Sequence, residues 1–288
     1  MEKHTVTYPL ADEKKLTLTA DVFDTPAAFA GLAALCGLPL DNENGNDAEF
    51  HLSCNAVREL PDLFRLRHNK RSDIYWDHET LSVRYITDTI PAAVSDAGVS
   101  AFWRFCLTLG AIAAIIREKP LAILHCSLLE TPGGALIICG ESGMGKSTTA
   151  RRFREAGGRC TSDDMILLEK RSDGFYAYPL PTWSACAQQI EGRSYPFVPI
   201  KVKDVFFLTR GENQEEIRQI SAASLQAQLY RGLFFHMYDW VKLFPEELQM
   251  KVMKYLRDLS SDMTSTFTPK ALFAHLDGDL RKTLKDYL

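Results

Sequence analysis

A run of eight residues near the middle of the chain combines glycines with a lysine and a hydroxyl group. Residues 140–147 read GESGMGKS and fit the pattern G-x-x-x-x-G-K-[ST] in full. Glycines let such a loop curl so that its backbone N–H groups point at phosphate oxygens, and a helix that begins there adds the positive end of its dipole. Lys146 can reach the β- and γ-phosphates, and the Ser147 hydroxyl can ligate Mg²⁺. The pattern predicts a site for a nucleoside triphosphate.

The residues predicted to contact the nucleotide are those of the loop and the one that follows it. They are Gly140, Glu141, Ser142, Gly143, Met144, Gly145, Lys146, Ser147 and Thr148.

Two adjacent carboxylates come one predicted helix and one turn after the loop. Asp163 and Asp164 stand directly before the apolar stretch MILL, residues 165–168. If this turn returns to the phosphate end of the sheet, one carboxylate can enter the Mg²⁺ shell while the other accepts the proton of an attacking hydroxyl. A solvated acidic turn is the alternative interpretation of the same pair.

Two large classes of nucleotide-binding protein lack their signatures here. An Asn-Lys-x-Asp base-reading motif is absent, since the only Asn-Lys pair, Asn69-Lys70, precedes the loop and has no Asp in register. The L-S-G-G-Q signature of transport ATPases does not occur either. A typical Walker B strand ends in Asp, whereas here Asp163 and Asp164 precede the strand. The donor could therefore be ATP, GTP or pyrophosphate, and ATP is our working choice.

Composition narrows the class of protein further. The 288 residues include 46 % hydrophobic and 24 % charged side chains, which is ordinary for a globular chain with a sizeable core. A net charge of −4 gives no indication of a nucleic-acid partner. Seven widely spaced cysteines without a C-x-x-C pair indicate buried thiols in a reducing compartment. The N-terminus has no signal-peptide pattern and residues 105–116 are too short to span a bilayer, so we expect a cytoplasmic protein with no membrane partner.

The elements that must position the loop follow from the apolar spacing. Residues 16–23 and 81–87 have strand character, which predicts a β-rich N-terminal region over residues 1–95. A helix is predicted from about Val99 to Glu118, followed by two apolar strands joined by residues 131–134, TPGG.

The second of these strands runs into the loop, and a helix follows that Gly157-Gly158 ends. Residues 202–211 predict another buried strand. From Ser221 to the C-terminus the apolar spacing predicts helices. Residues 96–288 are therefore expected to form a domain built around the P-loop, which the resemblance described next makes kinase-like.

Several of these residues together resemble the HPr kinase/phosphorylase family and, more distantly, phosphoenolpyruvate carboxykinases. The similarity covers residues 120–170, where LHCSLLE, the hairpin, ICGESGMGKST and S-D-D follow one another. It implies an α/β fold with a P-loop kinase core of the HPr kinase-like type, a β-rich N-terminal region and C-terminal helices.

The resemblance also implies roles for individual residues. Asp163 would be the catalytic base, Asp164 would support Mg²⁺, and His125 would lie near the γ-phosphate or the base. Read alone, as one polar residue in an apolar strand, His125 is better explained as a hydrogen-bonded histidine of the core. The related kinases assemble, which makes a homo-oligomer an expectation.

The chain departs from that family at two places that concern the acceptor. Thr148 stands where an acid commonly follows the P-loop serine, and a G-R-N-L-A-V-type stretch is absent. Arg193 is the nearest basic candidate for a phosphate or substrate contact, with a solvated loop arginine as the alternative. HPr itself is therefore not the expected acceptor.

Two further segments have weaker signals. Residues 231–240, RGLFFHMYDW, could line a substrate or adenine pocket or form the core face of a helix. Residues 65–71, RLRHNKR, could bind an acidic partner or form a solvated loop.

The function predicted from the sequence is an ATP- and Mg²⁺-dependent kinase that transfers the γ-phosphate to a hydroxyl group. The acceptor is a serine or threonine of a peptide or protein, or a small hydroxylated molecule. A catalytically silent nucleotide-sensing regulator and a carboxykinase-type metabolic enzyme are the alternatives.

Overall fold

The protein is described here from a computed structural model, which describes residues 3–21, 40–41, 47–54, 60, 62–69, 72–87, 96–180, 198–212 and 214–287. The chain divides into two compact units. The first unit comprises Met1–Leu121, Gln189–Pro196 and Met237–Met253, and the second comprises Ala122–Gln188, Phe197–His236 and Lys254–Leu288.

The first unit is built on a seven-stranded sheet with the order β3-β1-β2-β4-β7-β6-β5. Strand β2 runs parallel to β4, and β4 runs parallel to β7. Its strands are β1 (Lys3–Pro9), β2 (Lys15–Asp21), β3 (Leu40–Asp41), β4 (Phe50–Cys54), β5 (Phe64–Asn69), β6 (Ser72–Asp77) and β7 (Ser82–Thr87). The alternation in β2 explains its burial, because Leu16, Leu18 and Ala20 all point to one face and are fully buried.

One long helix, α1 (Asp96–Ile116), packs on that sheet against β2, β4 and β7. Gly110 permits the close approach, since a Cβ there would lie 2.7 Å from the Leu18 side chain. The ring of Phe105 meets Phe50 and Tyr85 edge-on, with centroids 6.3 and 5.0 Å away. Apolar burial therefore joins α1 to the first sheet.

The second unit contains an eight-stranded sheet with the order β10-β8-β11-β12-β13-β15-β14, in which β9 pairs with both β13 and β8. Its strands are β8 (Leu121–Thr131), β9 (Gly134–Cys139), β10 (Arg159–Ser162), β11 (Met165–Arg171), β12 (Gly174–Pro179), β13 (Ile200–Arg210), β14 (Glu216–Gln219) and β15 (Lys270–Ala274). Strand β13 runs parallel to β9 on one side and to β15 on the other. These three strands end at the same edge.

Five further helices complete the described elements. They are α2 (Lys146–Glu155), α3 (Ala222–Phe235), α4 (Tyr238–Val241), α5 (Glu246–Thr266) and α6 (Leu280–Thr283), followed by a 3₁₀ turn at Lys285–Tyr287. In the second unit, Ala150 and Phe153 of α2 join a buried cluster with Leu136 and Ile138 of β9 and Phe206 of β13. Helix α2 is thereby held against the strand that leads into it.

Most of the predicted elements are present, and the mixed α/β character is confirmed. Strands β8 and β9 form the predicted hairpin, and α2 ends at the glycine pair, where the N–H of Gly158 donates to the Phe153 carbonyl over 2.9 Å. Residues 65–71 were expected to form a solvated loop or to bind an acidic partner. Residues 64–69 form the exposed edge strand β5 and not a loop, whereas binding of a partner stays a prediction.

The prediction of helices from Ser221 to the C-terminus is wrong at residues 270–274. These residues form β15, which adds to β13 in parallel and to β14 in antiparallel register. Residues 270–274, KALFA, are too short and too uniformly apolar for periodicity to separate a strand from a helix, and pairing with β13 decides the outcome.

The division between the units lies after Leu121, whereas the predicted boundary was near residue 95. The difference arises because α1 packs on the first sheet. Within the part of the chain that the structure describes, no helix is both long and apolar enough to cross a membrane.

Candidate functional site

The glycine loop, residues 140–147, connects the end of β9 to the start of α2. Gly143 and Gly145 have φ angles of 79° and 101°, a region that side chains disfavour. A Cβ on either residue would meet nothing within 4 Å, so glycine is required here for the backbone conformation and the space over the loop is open. Gly140 is different, since a Cβ there would come within 3.2 Å of Leu208 in the neighbouring strand.

Lys146, the first residue of α2, turns back onto the glycine loop. Its Nζ donates to the carbonyl oxygens of Gly140 at 2.9 Å and Glu141 at 3.0 Å, and the residue is 6 % exposed. Burial lowers the pKa of Lys146 below its ordinary value, while the nearby Cys139, Cys126 and Asp164 oppose that shift. The Asp-Asp turn lies at the same end of the sheet as the glycine loop, because Asp164 is hydrogen-bonded to Cys126, whose partner in the hairpin, Cys139, directly precedes the loop.

The turn that carries Asp163 and Asp164 lies between β10 and β11 and is fixed to β8. The N–H of Cys126 donates to the Asp164 carbonyl at 3.1 Å, and the Ser127 hydroxyl donates to the Asp163 carbonyl at 3.3 Å. Asp163 is 3 % exposed, whereas the Asp164 side chain is 20 % exposed. These hydrogen bonds fix the backbone of the turn, from which both carboxylates extend.

His125 connects this turn to helix α3. Its Nδ1 lies 3.4 Å from Oδ1 of Asp164 and 3.2 Å from Nε2 of His236, the residue that follows α3. The His125 ring stacks on Phe235, with centroids 4.5 Å apart and planes 23° apart. His125 is 8 % exposed, and its Nε2 has no hydrogen-bond partner among the residues described.

These contacts place three potential metal ligands together. His125, Asp164 and His236 each offer one atom, and the three atoms lie within 4.8 Å of one another. Imidazole and carboxylate groups at such separations can coordinate one divalent cation.

The structure brings together residues that the sequence indicated separately. Lys146, Asp164 and His125 share one site, with Ser147 exposed in the first turn of α2. Asp163 lies in the same turn as Asp164 but is more deeply buried. Arg193 lies outside the described residues.

Sequence reasoning did not identify His236 as a partner of His125. The segment 231–240 was predicted to line a substrate or adenine pocket or to form the core face of a helix, and it divides into two parts in the structure. Leu233 and Met237 are buried as a core face, whereas Phe235 and His236 contact His125. Three distant chain segments supply His125, Asp164 and His236, so their spacing contained no signal that could have linked them.

Arg231 of α3 adds an ion pair with Glu141 of the glycine loop. Both side chains are more than half exposed, at 65 % and 54 %, so the pair contributes little to stability.

Comparison with known proteins gives a match to a family model and a similarity to solved structures, one of which is described here. The family model described as "ScmC: SynChlorMet cassette protein ScmC" matches residues 99–252, more than half of the chain. A solved structure of the Hpr(Ser) kinase/phosphatase from Coxiella burnetii is 22 % identical, covers 32 % of this chain and 67 % of that chain, and gives a TM-score of 0.24. Because a TM-score this low does not establish a shared fold, no residue role is transferred from that structure.

Proposed function

We propose that this chain, which belongs to the ScmC family, is an ATP- and Mg²⁺-dependent kinase that phosphorylates a hydroxyl group. One observation carries the proposal. The Asp164 carbonyl accepts from the N–H of Cys126 at 3.1 Å, and Cys126 pairs with Cys139, the residue directly before the glycine loop, so the loop and the Asp-Asp turn lie at the same end of the sheet. A phosphate-binding loop and a carboxylate pair in one site are the parts that phosphoryl transfer to a hydroxyl requires.

The glycine loop would hold the phosphates. Gly143 and Gly145 keep the backbone in a conformation that leaves open space above the loop, as a phosphate cradle needs. Lys146 now donates to two loop carbonyls, and it would exchange them for β- and γ-phosphate oxygens. The exchange is favourable because a desolvated ammonium group gains more from phosphate than from a neutral carbonyl.

The residues present also fit a magnesium ion. Ser147 offers an exposed hydroxyl at the start of α2, and Asp164 offers a partly exposed carboxylate, so both ligands are the hard oxygens that Mg²⁺ prefers. A bound Mg²⁺ would neutralise charge on the transferring phosphoryl group.

Asp163 is the proposed proton acceptor. With Asp164 assigned to the cation, Asp163 is the carboxylate of the turn that is left to accept the proton of the attacking hydroxyl. His125 would hold Asp164 in place through Nδ1 and present its unpartnered Nε2 to the γ-phosphate or to the acceptor.

The acceptor class remains that predicted from the sequence: a serine or threonine of a peptide or protein, or a small hydroxylated molecule. We place the protein in the cytoplasm, because Cys106, Cys126, Cys139 and Cys160 are free thiols in the structure. A homo-oligomer is part of the same proposal.

The test is phosphoryl transfer from ATP labelled at the γ-phosphate. Purified protein with Mg²⁺ is incubated with lysate proteins, serine- and threonine-containing peptides, and free serine and threonine. We expect label on a hydroxyl acceptor, and we expect Lys146→Ala and Asp163→Asn each to remove it.

Matched controls separate these effects from general damage. Lys254→Ala and Asp258→Asn make the same substitutions at an exposed ion pair on α5 and should transfer label at the wild-type rate. Tight ATP binding without transfer to any acceptor would instead favour a nucleotide-sensing regulator. If Asp163→Asn still transferred labelled phosphate to the acceptor at the wild-type rate, Asp163 would not be the catalytic base.

A further inference from the structure

A hollow opens at the edge of the second sheet where three parallel strands end. Strands β9, β13 and β15 finish at Cys139, Arg210 and Ala274, and a cavity of about 550 Å³ lies beyond them. Crevices outside the carboxyl ends of parallel strands are where α/β proteins bind ligands. We call this cavity the strand-end hollow.

The strand-end hollow is continuous with the glycine loop. Gly143, Met144 and Gly145 form one of its walls, and Thr148 of α2 extends that wall. Lys146, Asp164 and His125 do not line it. A ligand whose phosphates lie on the glycine loop could therefore extend into this hollow without displacing the charged groups assigned to phosphoryl transfer.

The opposite wall is formed by the segment after β15 and is held in place by a buried ion pair. Nη1 of Arg152 in α2 lies 2.6 Å from Oε2 of Glu215, whose side chain is 1 % exposed. Nη2 of Arg152 donates to the carbonyl of Gly278 at 2.5 Å. These contacts tie α2 directly to Gly278 of the segment, and Glu215 also accepts from the N–H of His275 at 3.4 Å, so the protein's own contacts hold this wall in place.

Three exposed side chains line the strand-end hollow, namely Arg210, Leu276 and Asp277. Arg210 is exposed, and its Nη2 lies 3.5 Å from the carbonyl oxygen of Gly143. Within the described part of the chain no carboxylate pairs with it. Leu276 is 78 % exposed, a large apolar group presented to solvent at the border of the cavity. A guanidinium group and an aliphatic side chain together suit a flat aromatic ring, through cation–π attraction and apolar burial.

We propose that the strand-end hollow binds the nucleoside part of the phosphate donor, with Arg210 and Leu276 as contacts of the base. The inference rests on the proposed function, because the phosphates must occupy the glycine loop for the base to reach the hollow. It specifies the donor as a nucleotide, and it excludes pyrophosphate as the preferred donor.

The experiment compares two ligands that share the phosphate chain and differ in the nucleoside. Dissociation constants of ATP and of inorganic tripolyphosphate are measured calorimetrically with Mg²⁺ on the full chain. We expect the wild type to bind ATP at least about 10-fold more tightly. Leu276→Ala and Arg210→Met should each reduce that preference by about 3- to 10-fold, and Leu276→Ala should leave tripolyphosphate binding unchanged. Arg281→Met removes the same charge from an exposed site outside the hollow and should retain the full preference.

Three results would overturn the inference. Equal binding of ATP and tripolyphosphate to the wild type would show that the nucleoside has no subsite. A preference that both variants leave intact would place the nucleoside elsewhere. Equal weakening of both ligands by both variants would show that these side chains act on phosphate. Absence of binding by either ligand is distinguishable from all three, because it refutes the proposed function itself.

Discussion

Each unit buries a group of charged side chains, and the two groups are satisfied in different ways. In the first unit, Glu49 is fully buried and accepts from Arg117, Lys119 and the N–H of Thr17. Arg117 uses its remaining N–H groups on backbone carbonyls, including that of Leu81 at 3.0 Å. The Glu49 cluster therefore has partners of opposite charge and needs no ligand.

The charged groups of the second unit are less completely satisfied. Lys146 is buried but bonds only to neutral loop carbonyls, and Nε2 of His125 has no hydrogen-bond partner among the described residues. Buried polar groups left in this state cost stability, and proteins retain them where a ligand or a reaction uses them. The contrast separates a cluster that holds the fold from a cluster that is arranged for binding and chemistry.

The largest expected effect is on stability and comes from the Glu49 cluster. Glu49→Gln leaves Lys119 without its carboxylate partner and Arg117 with only the exposed carboxylate of Asp47, which should lower the free energy of unfolding by about 3–5 kcal/mol. Urea denaturation measures the change. Glu118→Gln removes the same charge from a side chain that is 79 % exposed and should have almost no effect. Equal stability of Glu49→Gln and the wild type would mean that the cluster does not hold the fold.

The second effect is on activity and comes from the second unit. Asp164→Asn removes a proposed Mg²⁺ ligand and the carboxylate beside His125, so phosphoryl transfer should fall about 100-fold, or roughly 3 kcal/mol in the barrier. The midpoint of urea denaturation should stay close to that of the wild type, and the Mg²⁺ concentration needed for half-maximal rate should rise. If Asp164→Asn lost stability and activity in proportion, the role of Asp164 would be to hold the fold, as Glu49 does, and not to act in phosphoryl transfer.

The smallest expected effect is on the pH dependence of stability, and it comes from Asp77 in the first unit. Burial raises the pKa of Asp77, but hydrogen bonds from Thr80 and the Arg84 guanidinium outweigh it and hold that pKa at about 2, below its usual 3.8. Because the pKa is lower in the folded state, Asp77 stabilises the protein above about pH 4, and this contribution is lost as the pH falls towards 2.

Asp77→Asn should therefore lower the free energy of unfolding by about 1 kcal/mol at pH 7, after allowance for solvent screening. The difference from the wild type should shrink as the pH approaches 2. Urea titrations at several pH values measure it. A difference that stays constant with pH would show that the Asp77 charge is not what stabilises this strand pair.

Local patterns accounted for the elements nearest the site. The glycine loop, the hairpin before it and helix α2 were predicted because each depends on neighbouring residues: glycine for positive φ, Pro-Gly-Gly for the turn, and apolar spacing for the helix. Strand β15 was not predicted, because its five residues become a strand only by pairing with β13, more than sixty residues earlier in the chain.

The same distinction applies to the candidate site. The sequence by itself determined the glycine loop with Lys146 and Ser147, and the adjacent carboxylates Asp163 and Asp164, since contiguous residues specify both motifs. Only the tertiary structure decided that His236 meets His125 and that Arg210 and Leu276 border one hollow beside the loop. Such pairs are joined by the pairing and packing of whole elements, and no local preference of either residue encodes the partner it will meet.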